Sequence, residues 1–204
     1  MKMPVLTSVV IFIIILLWSI KRSAKKSRSE LEAFVNRENK ANSTRRQPID
    51  DLPYINIPDE LFFIKYKDSS KMQEVMRNLD FLKDKKMLNL TGISNTDLKL
   101  KYGAANLPEL SECDERYTLL VRSLQSFAEC LSEDGREQDA VKVLEFSIST
   151  GSDILGSYTL LTNLYIKAGT PDKLNGLKEK AAKLNSLTAP SIIRMLEKAT
   201  SAPT

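Results

Sequence analysis

Apolar and polar residues are distributed along this chain in four regimes. Pro4 to Ile20 reads PVLTSVVIFIIILLWSI, seventeen residues without a charge. That is the short end of the length range for a membrane-spanning helix, and Trp18 near its end suits a headgroup boundary. Residues 21–46 are polar, with Leu31, Phe34 and Val35 at helical spacing among charges. A short amphipathic helix and a solvated stalk both fit that pattern. Residues 47–67 mix prolines with Ile49, Leu52, Tyr54, Ile55, Ile57 and Leu61–Ile64. Pro48, Pro53 and Pro58 exclude a continuous helix, so this reads as an extended segment packed on a domain, with room for a short strand.

From residue 69 the period becomes helical. Ser69 or Ser70 can cap a helix to about Lys86 carrying Met72, Val75, Met76, Leu79 and Leu82 on one face. Ser94 with Asp97 forms a capping-box pattern that opens a short helix ending near Gly103, and Pro108 follows as a breaker. Tyr117, Leu120, Val121, Leu124, Phe127, Ala128 and Leu131 then mark one face of a helix of about five turns. Gly135 ends it. Further helices carry Ala140, Val143, Leu144 and Ser147; Leu155, Tyr158, Leu161 and Tyr165; Leu174, Leu177, Ala181 and Leu184; and, after Pro190, Ile192, Ile193, Leu196 and Ala199.

These helices repeat. Gly135 and Gly169 lie thirty-four residues apart, and the same offset relates Leu124 to Tyr158, Phe127 to Leu161, Leu131 to Tyr165 and Ala140 to Leu174. Helix pairs of this period resemble tetratricopeptide (TPR) repeats over residues 114–200. The resemblance implies close-packing roles for Ala128, Ala140, Ser147 and Ala181, and a turn role for Gly135. Thr162, Leu174 and Lys178 depart from the family pattern, and no proline closes either repeat. The segments QPIDDLPYINIP and NLTGISNTDLKLKYGAANL also resemble stretches of a group of uncharacterised bacterial membrane-anchored proteins, a likeness that brings no activity with it.

The expected fold class is therefore all-α, a transmembrane helix followed by TPR-like antiparallel helix pairs in a helical-repeat bundle. The expected domains are a transmembrane helix at 4–20, a basic juxtamembrane stalk at 21–46, an extended segment and packing helices at 47–113, and a TPR-like domain at 114–200.

Charge refines the picture. Residues 1–46 hold ten Lys/Arg and three acids, leaving twenty basic and twenty-three acidic residues beyond. Basicity concentrated at Lys21, Arg22, Lys25, Lys26 and Arg28 predicts a cytoplasmic C-terminal side of a single-pass cell-membrane protein. It also offers anionic lipid headgroups a contact. A net acidic remainder argues against nucleic acid as a partner.

Chemistry is sparse. The chain has no histidine, which excludes imidazole-based triads and His-ligated zinc. Its seven glycines form no phosphate-binding loop. Cys113 and Cys130 are seventeen residues apart, roughly 25 Å along one helix and beyond disulfide reach. The adjacent carboxylates Asp50-Asp51, Asp59-Glu60 and Glu133-Asp134 lack a partnered nucleophile. No cofactor, metal, small-molecule substrate or catalysis is expected. The expected role is a membrane-tethered scaffold or adaptor that binds an unknown protein. In the repeat register its groove is formed by Arg122, Gln125, Glu129, Thr159, Asn163 and Lys167. The alternative is a structural subunit of a membrane complex, touching its neighbours through residues 52–64.

Overall fold

The computed structural model describes residues 3–201, with the side chains of 3–7, 24 and 26 left out. Among the described residues there are eight α-helices, two short 3-10 turns and no strand. The helices are α1 (Met3–Asn42), α2 (Ser70–Leu82), α3 (Asn95–Tyr102), α4 (Leu107–Glu133), α5 (Glu137–Ser149), α6 (Leu155–Lys167), α7 (Lys173–Ala182) and α8 (Ala189–Ser201). The chain divides into two compact units. One is the described part of Met1–Pro48 with Ser94–Leu107, and the other is Ile49–Ile93 with Pro108–Thr204 as far as it is described.

The transmembrane helix expected at 4–20 is overturned. No helix among the described residues is long and apolar enough to cross a membrane. The physical reason lies in how α1 is built. The helix does not stop at Ile20 but runs on through Lys21, Arg22, Lys25 and Arg28 to Asn42, so residues 4–20 and most of the expected stalk are one element. The charge-free run from Pro4 to Ile20 rises only about 25 Å along α1, against a hydrocarbon core of about 30 Å. Pro4 to Thr7, the start of the expected span, lie outside the described side chains. The expected single-pass cell-membrane placement, with a cytoplasmic C-terminal domain, falls with the span.

In the first unit, α3 docks on the C-terminal end of α1. Glu38 accepts from Thr96 Oγ1 and from Lys99 Nζ at 3.0 Å, and Arg37 reaches Asp97 at 2.5 Å. Ser94 caps α3 by accepting from the Asp97 amide at 3.2 Å. Gly103 ends α3 at φ 89°, where a Cβ would come within 2.7 Å of the Arg45 carbonyl oxygen. Fully buried Asn106 closes the unit: its amide nitrogen donates to the Gln47 and Tyr102 carbonyls, and its oxygen accepts from Arg46.

The second unit holds the main core. Ser69 caps α2, accepting from the Met72 amide at 3.1 Å, and Met72, Val75, Leu79 and Leu82 are buried. The face of α4 from Tyr117 to Leu131 packs into the same cluster with Leu144, Tyr158, Leu161, Leu174, Ile192 and Leu196. α4 begins ten residues before Tyr117, so Leu110 and Cys113 are also buried. Pro108 does not break it. Proline in the first turn removes an amide that has no helical partner there. Helices α4, α5 and α6 close alike: the amides of Arg136, Ser152 and Thr170 bond back five residues to Leu131, Ser147 and Tyr165, around Gly135, Gly151 and Gly169 at positive φ. The closures of α4 and α6 stand thirty-four residues apart. Ala128, Ala140, Ser147 and Ala181 have no exposed surface, and Thr162 and Leu174 are buried beside them. Half-buried Lys178 donates to Thr200 at 2.6 Å.

Residues 47–69 contain one short 3-10 turn, Asp59–Leu61, and no strand. Ile57, Leu61 and Ile64 enter the core cluster. The Ile55 amide bonds to the Met87 carbonyl at 2.9 Å.

Candidate functional site

A concavity of about 410 Å³ lies along α4 and α6, lined by Gln125, Glu129, Leu155, Gly156, Thr159, Leu160 and Asn163. Four of the six expected groove residues are among these. Arg122 and Lys167 are not: Arg122 is exposed elsewhere on α4, and Lys167 reaches across to Glu137 in an ion pair. Thr159 follows Gln125 by thirty-four residues, and Asn163 follows Glu129 by the same interval, so positions one period apart on α4 and α6 line one hollow.

Its walls are held by a polar chain running over three helices. Lys71 on α2 donates to Glu129 Oε2 at 2.8 Å, and Gln125 donates to Glu129 Oε1 at 2.7 Å. The Ser157 hydroxyl donates to Gln125 Oε1 at 2.5 Å. The Lys71 hydrogen bond holds the Glu129 carboxyl below its usual range, and the same bond raises Lys71. Gly156 makes room for this arrangement. It has an ordinary helical φ, but a Cβ there would approach Gln125 Nε2 to 2.9 Å. The Thr159 hydroxyl is turned back onto the Leu155 carbonyl at 2.9 Å. The exposed amide of Asn163 makes no hydrogen bond within the described residues, leaving a donor and an acceptor free at the rim.

Sequence reasoning missed Lys71, Leu155, Gly156, Ser157 and Leu160. Gly156 carried a legible signal, a glycine inside a helix where alanine would be about 1 kcal/mol better. Lys71 carried none, because it arrives from a helix outside the repeat.

The other expected contacts are dispersed. Within residues 52–64, Phe63 is 82% exposed while Ile57, Leu61 and Ile64 are buried. Lys21, Arg22, Lys25 and Arg28 are exposed along α1; Arg22 stacks on Trp18 at 5.2 Å and Arg28 pairs with Glu32 at 3.2 Å. Lys26 lies outside the described side chains. Cys113 and Cys130 are both free and buried on α4, and burial raises both thiols. Asp50 and Asp59 pair with Lys86 and Lys83 rather than meeting across a cleft.

Compared with protein-family models, curated proteins and solved structures, the chain matches none.

Proposed function

We propose that this protein is a helical-repeat binding module whose α4–α6 concavity receives a segment of a partner protein. The observation that carries the reading is that Gln125 and Thr159, and Glu129 and Asn163, each pair one period apart, line one hollow. Repeat folds use such equivalent positions as an extended binding surface. The lining suits a peptide in extended form. Leu155 and Leu160 supply an apolar floor, and the free Asn163 amide can both donate to and accept from a peptide main chain. The Lys71–Glu129–Gln125–Ser157 chain fixes the walls before anything binds, which lowers the ordering cost of association. Contact through residues 52–64 has less support, because most of its large apolar side chains are occupied by the core.

The test is selection of a displayed random-peptide library on the full chain. Enriched peptides should bind at least tenfold more weakly to Thr159→Arg, which fills the hollow, and to Gly156→Ala, which displaces Gln125. Binding to Arg122→Glu should be unchanged, since Arg122 lies outside the lining. Enriched peptides that bind Thr159→Arg as tightly as the native chain would overturn the reading.

A further inference from the structure

α7 begins weakly. Asp172, the residue before it, makes no side-chain cap bond. The amides of Lys173, Leu174 and Asn175 bond back only three residues, to the carbonyls of Thr170, Pro171 and Asp172 at 3.2, 2.9 and 3.3 Å. That is the 3-10 pattern, poorer in hydrogen-bond geometry than the α-helix. Gly176 follows, the worst helix former after proline. An uncapped first turn that leads into a glycine opens more readily than the capped starts of α2 and α3.

Asn175-Gly176 is the one place in the chain where glycine follows asparagine. Both residues are exposed, and the Asn175 side chain has no hydrogen-bond partner among the described residues. A Cβ built on Gly176 would meet nothing within 4 Å, so no neighbour clamps the backbone there. Glycine has no Cβ to hold its amide nitrogen off the preceding side chain, and its backbone turns freely. When the first turn opens, the Gly176 nitrogen can therefore reach Asn175 Cγ. The chain's other asparagines lack this combination. Asn89 and Asn106 are tied by several hydrogen bonds and precede leucine. Exposed Asn185 precedes serine, and its Nδ2 donates to the Gly92 carbonyl at 3.2 Å.

We propose that Asn175 is a site of spontaneous deamidation, and that the isoaspartate it forms unfastens the start of α7. The Gly176 amide nitrogen gives up its proton to base and attacks Asn175 Cγ. The Cγ–Nδ2 bond breaks, Nδ2 takes up a proton and leaves as ammonia, and a succinimide ring remains. Water then opens the ring at either carbonyl. Opening at Cγ restores the main chain with an aspartate side chain. Opening at the main-chain carbonyl leaves the chain running through Cγ, an isoaspartate. The net change is water in and ammonia out. The two products act differently. Leu174 and Leu177 flank the pair, are only 2% and 3% exposed, and belong to the core cluster. Isoaspartate adds a backbone carbon between them and breaks the register that seats both. Aspartate keeps that register and supplies the acidic first-turn residue that α7 lacks.

The test incubates the full chain at pH 8 and follows each asparagine by peptide mass spectrometry, with protein isoaspartate methyltransferase to count isoaspartate. Asn175 should gain the mass of an amide-to-acid exchange at least tenfold faster than Asn185. At pH 5 the gain should slow at least tenfold, because removal of the Gly176 amide proton needs base. Gly176→Ala, at an exposed position with open space around it, should fold as the native chain does and convert at least tenfold more slowly. In hydrogen exchange, residues 174–182 should be less protected in the aged isoaspartate form than in Asn175→Asp. No gain at Asn175, a gain no faster than at Asn185, or native-rate conversion of Gly176→Ala would each overturn the proposed site. Equal protection in the two forms would overturn the loss of register.

Discussion

Lys71 Nζ stands 2.8 Å from Glu129 Oε2, joining α2 to α4 at the edge of the hollow along α4 and α6. The two side chains remain 47% and 40% exposed, so the pair contributes at most about 1 kcal/mol. Its influence is on geometry, because Glu129 also holds Gln125.

The pH dependence follows from the two shifts. Glu129 titrates lower in the folded chain than unfolded, where its value is about 4.3. Its contribution is therefore complete above that value and is lost as pH falls through the lower folded one. Lys71 is raised, so its share persists up to the unfolded value of about 10.4 and is lost only beyond it. Urea midpoints at pH 7 and pH 3 should show a smaller acid loss for Glu129→Gln than for the native chain. Equal losses would show that the pair contributes nothing to stability.

Asn89 is the most connected side chain of the loop between α2 and α3. Its Nδ2 donates to the Tyr117 hydroxyl and the Thr150 carbonyl, both at 3.0 Å, and to the Gly151 carbonyl at 3.1 Å. Its Oδ1 accepts from the Thr91 amide. Tyr117 is buried enough that its hydroxyl is pushed up to about 12. Asn89→Ala should cost about 2 kcal/mol by leaving these groups unpaired. Asn89→Asp should cost more, about 3 kcal/mol, because it turns an acceptor toward two carbonyl oxygens. Urea unfolding distinguishes them, and an Asp variant as stable as the native chain would refute the assignment.

Tyr158 points the other way. It is fully buried on α6, and its hydroxyl has no hydrogen-bond partner. Burying that group without a partner carries a desolvation cost, so Tyr158→Phe should raise stability by about 1 kcal/mol. A loss of stability in equilibrium denaturation would show that the hydroxyl is satisfied after all.

The helices α2 to α8 were legible in the sequence from local causes, except the first ten residues of α4, where Pro108 reads as a breaker but sits in a helical first turn. Ser69 and Ser94 cap, Gly103, Gly135 and Gly169 close, and apolar residues return at the helical period between them. The thirty-four-residue offset likewise pointed to Gln125, Glu129, Thr159 and Asn163 as one set. Side-chain reach was not legible. Lys167 turns to Glu137, Arg122 stays off the lining, and Lys71 joins from α2, because ion pairing is decided by distances across helices that no spacing encodes. The apolar run after Pro4 was plain to see, but its end was not. Helical hydrogen bonding ran on through the charged residues to Asn42, since Lys, Arg, Glu and Ala are good helix formers whether or not an apolar environment surrounds them. The sequence by itself determined the helical periods, caps and turns, because these are interactions between neighbours along the chain. The tertiary structure alone decided which polar groups share the α4–α6 hollow, and which face of α1 is covered by α3 and which is left bare, because those depend on contacts between residues distant in the chain.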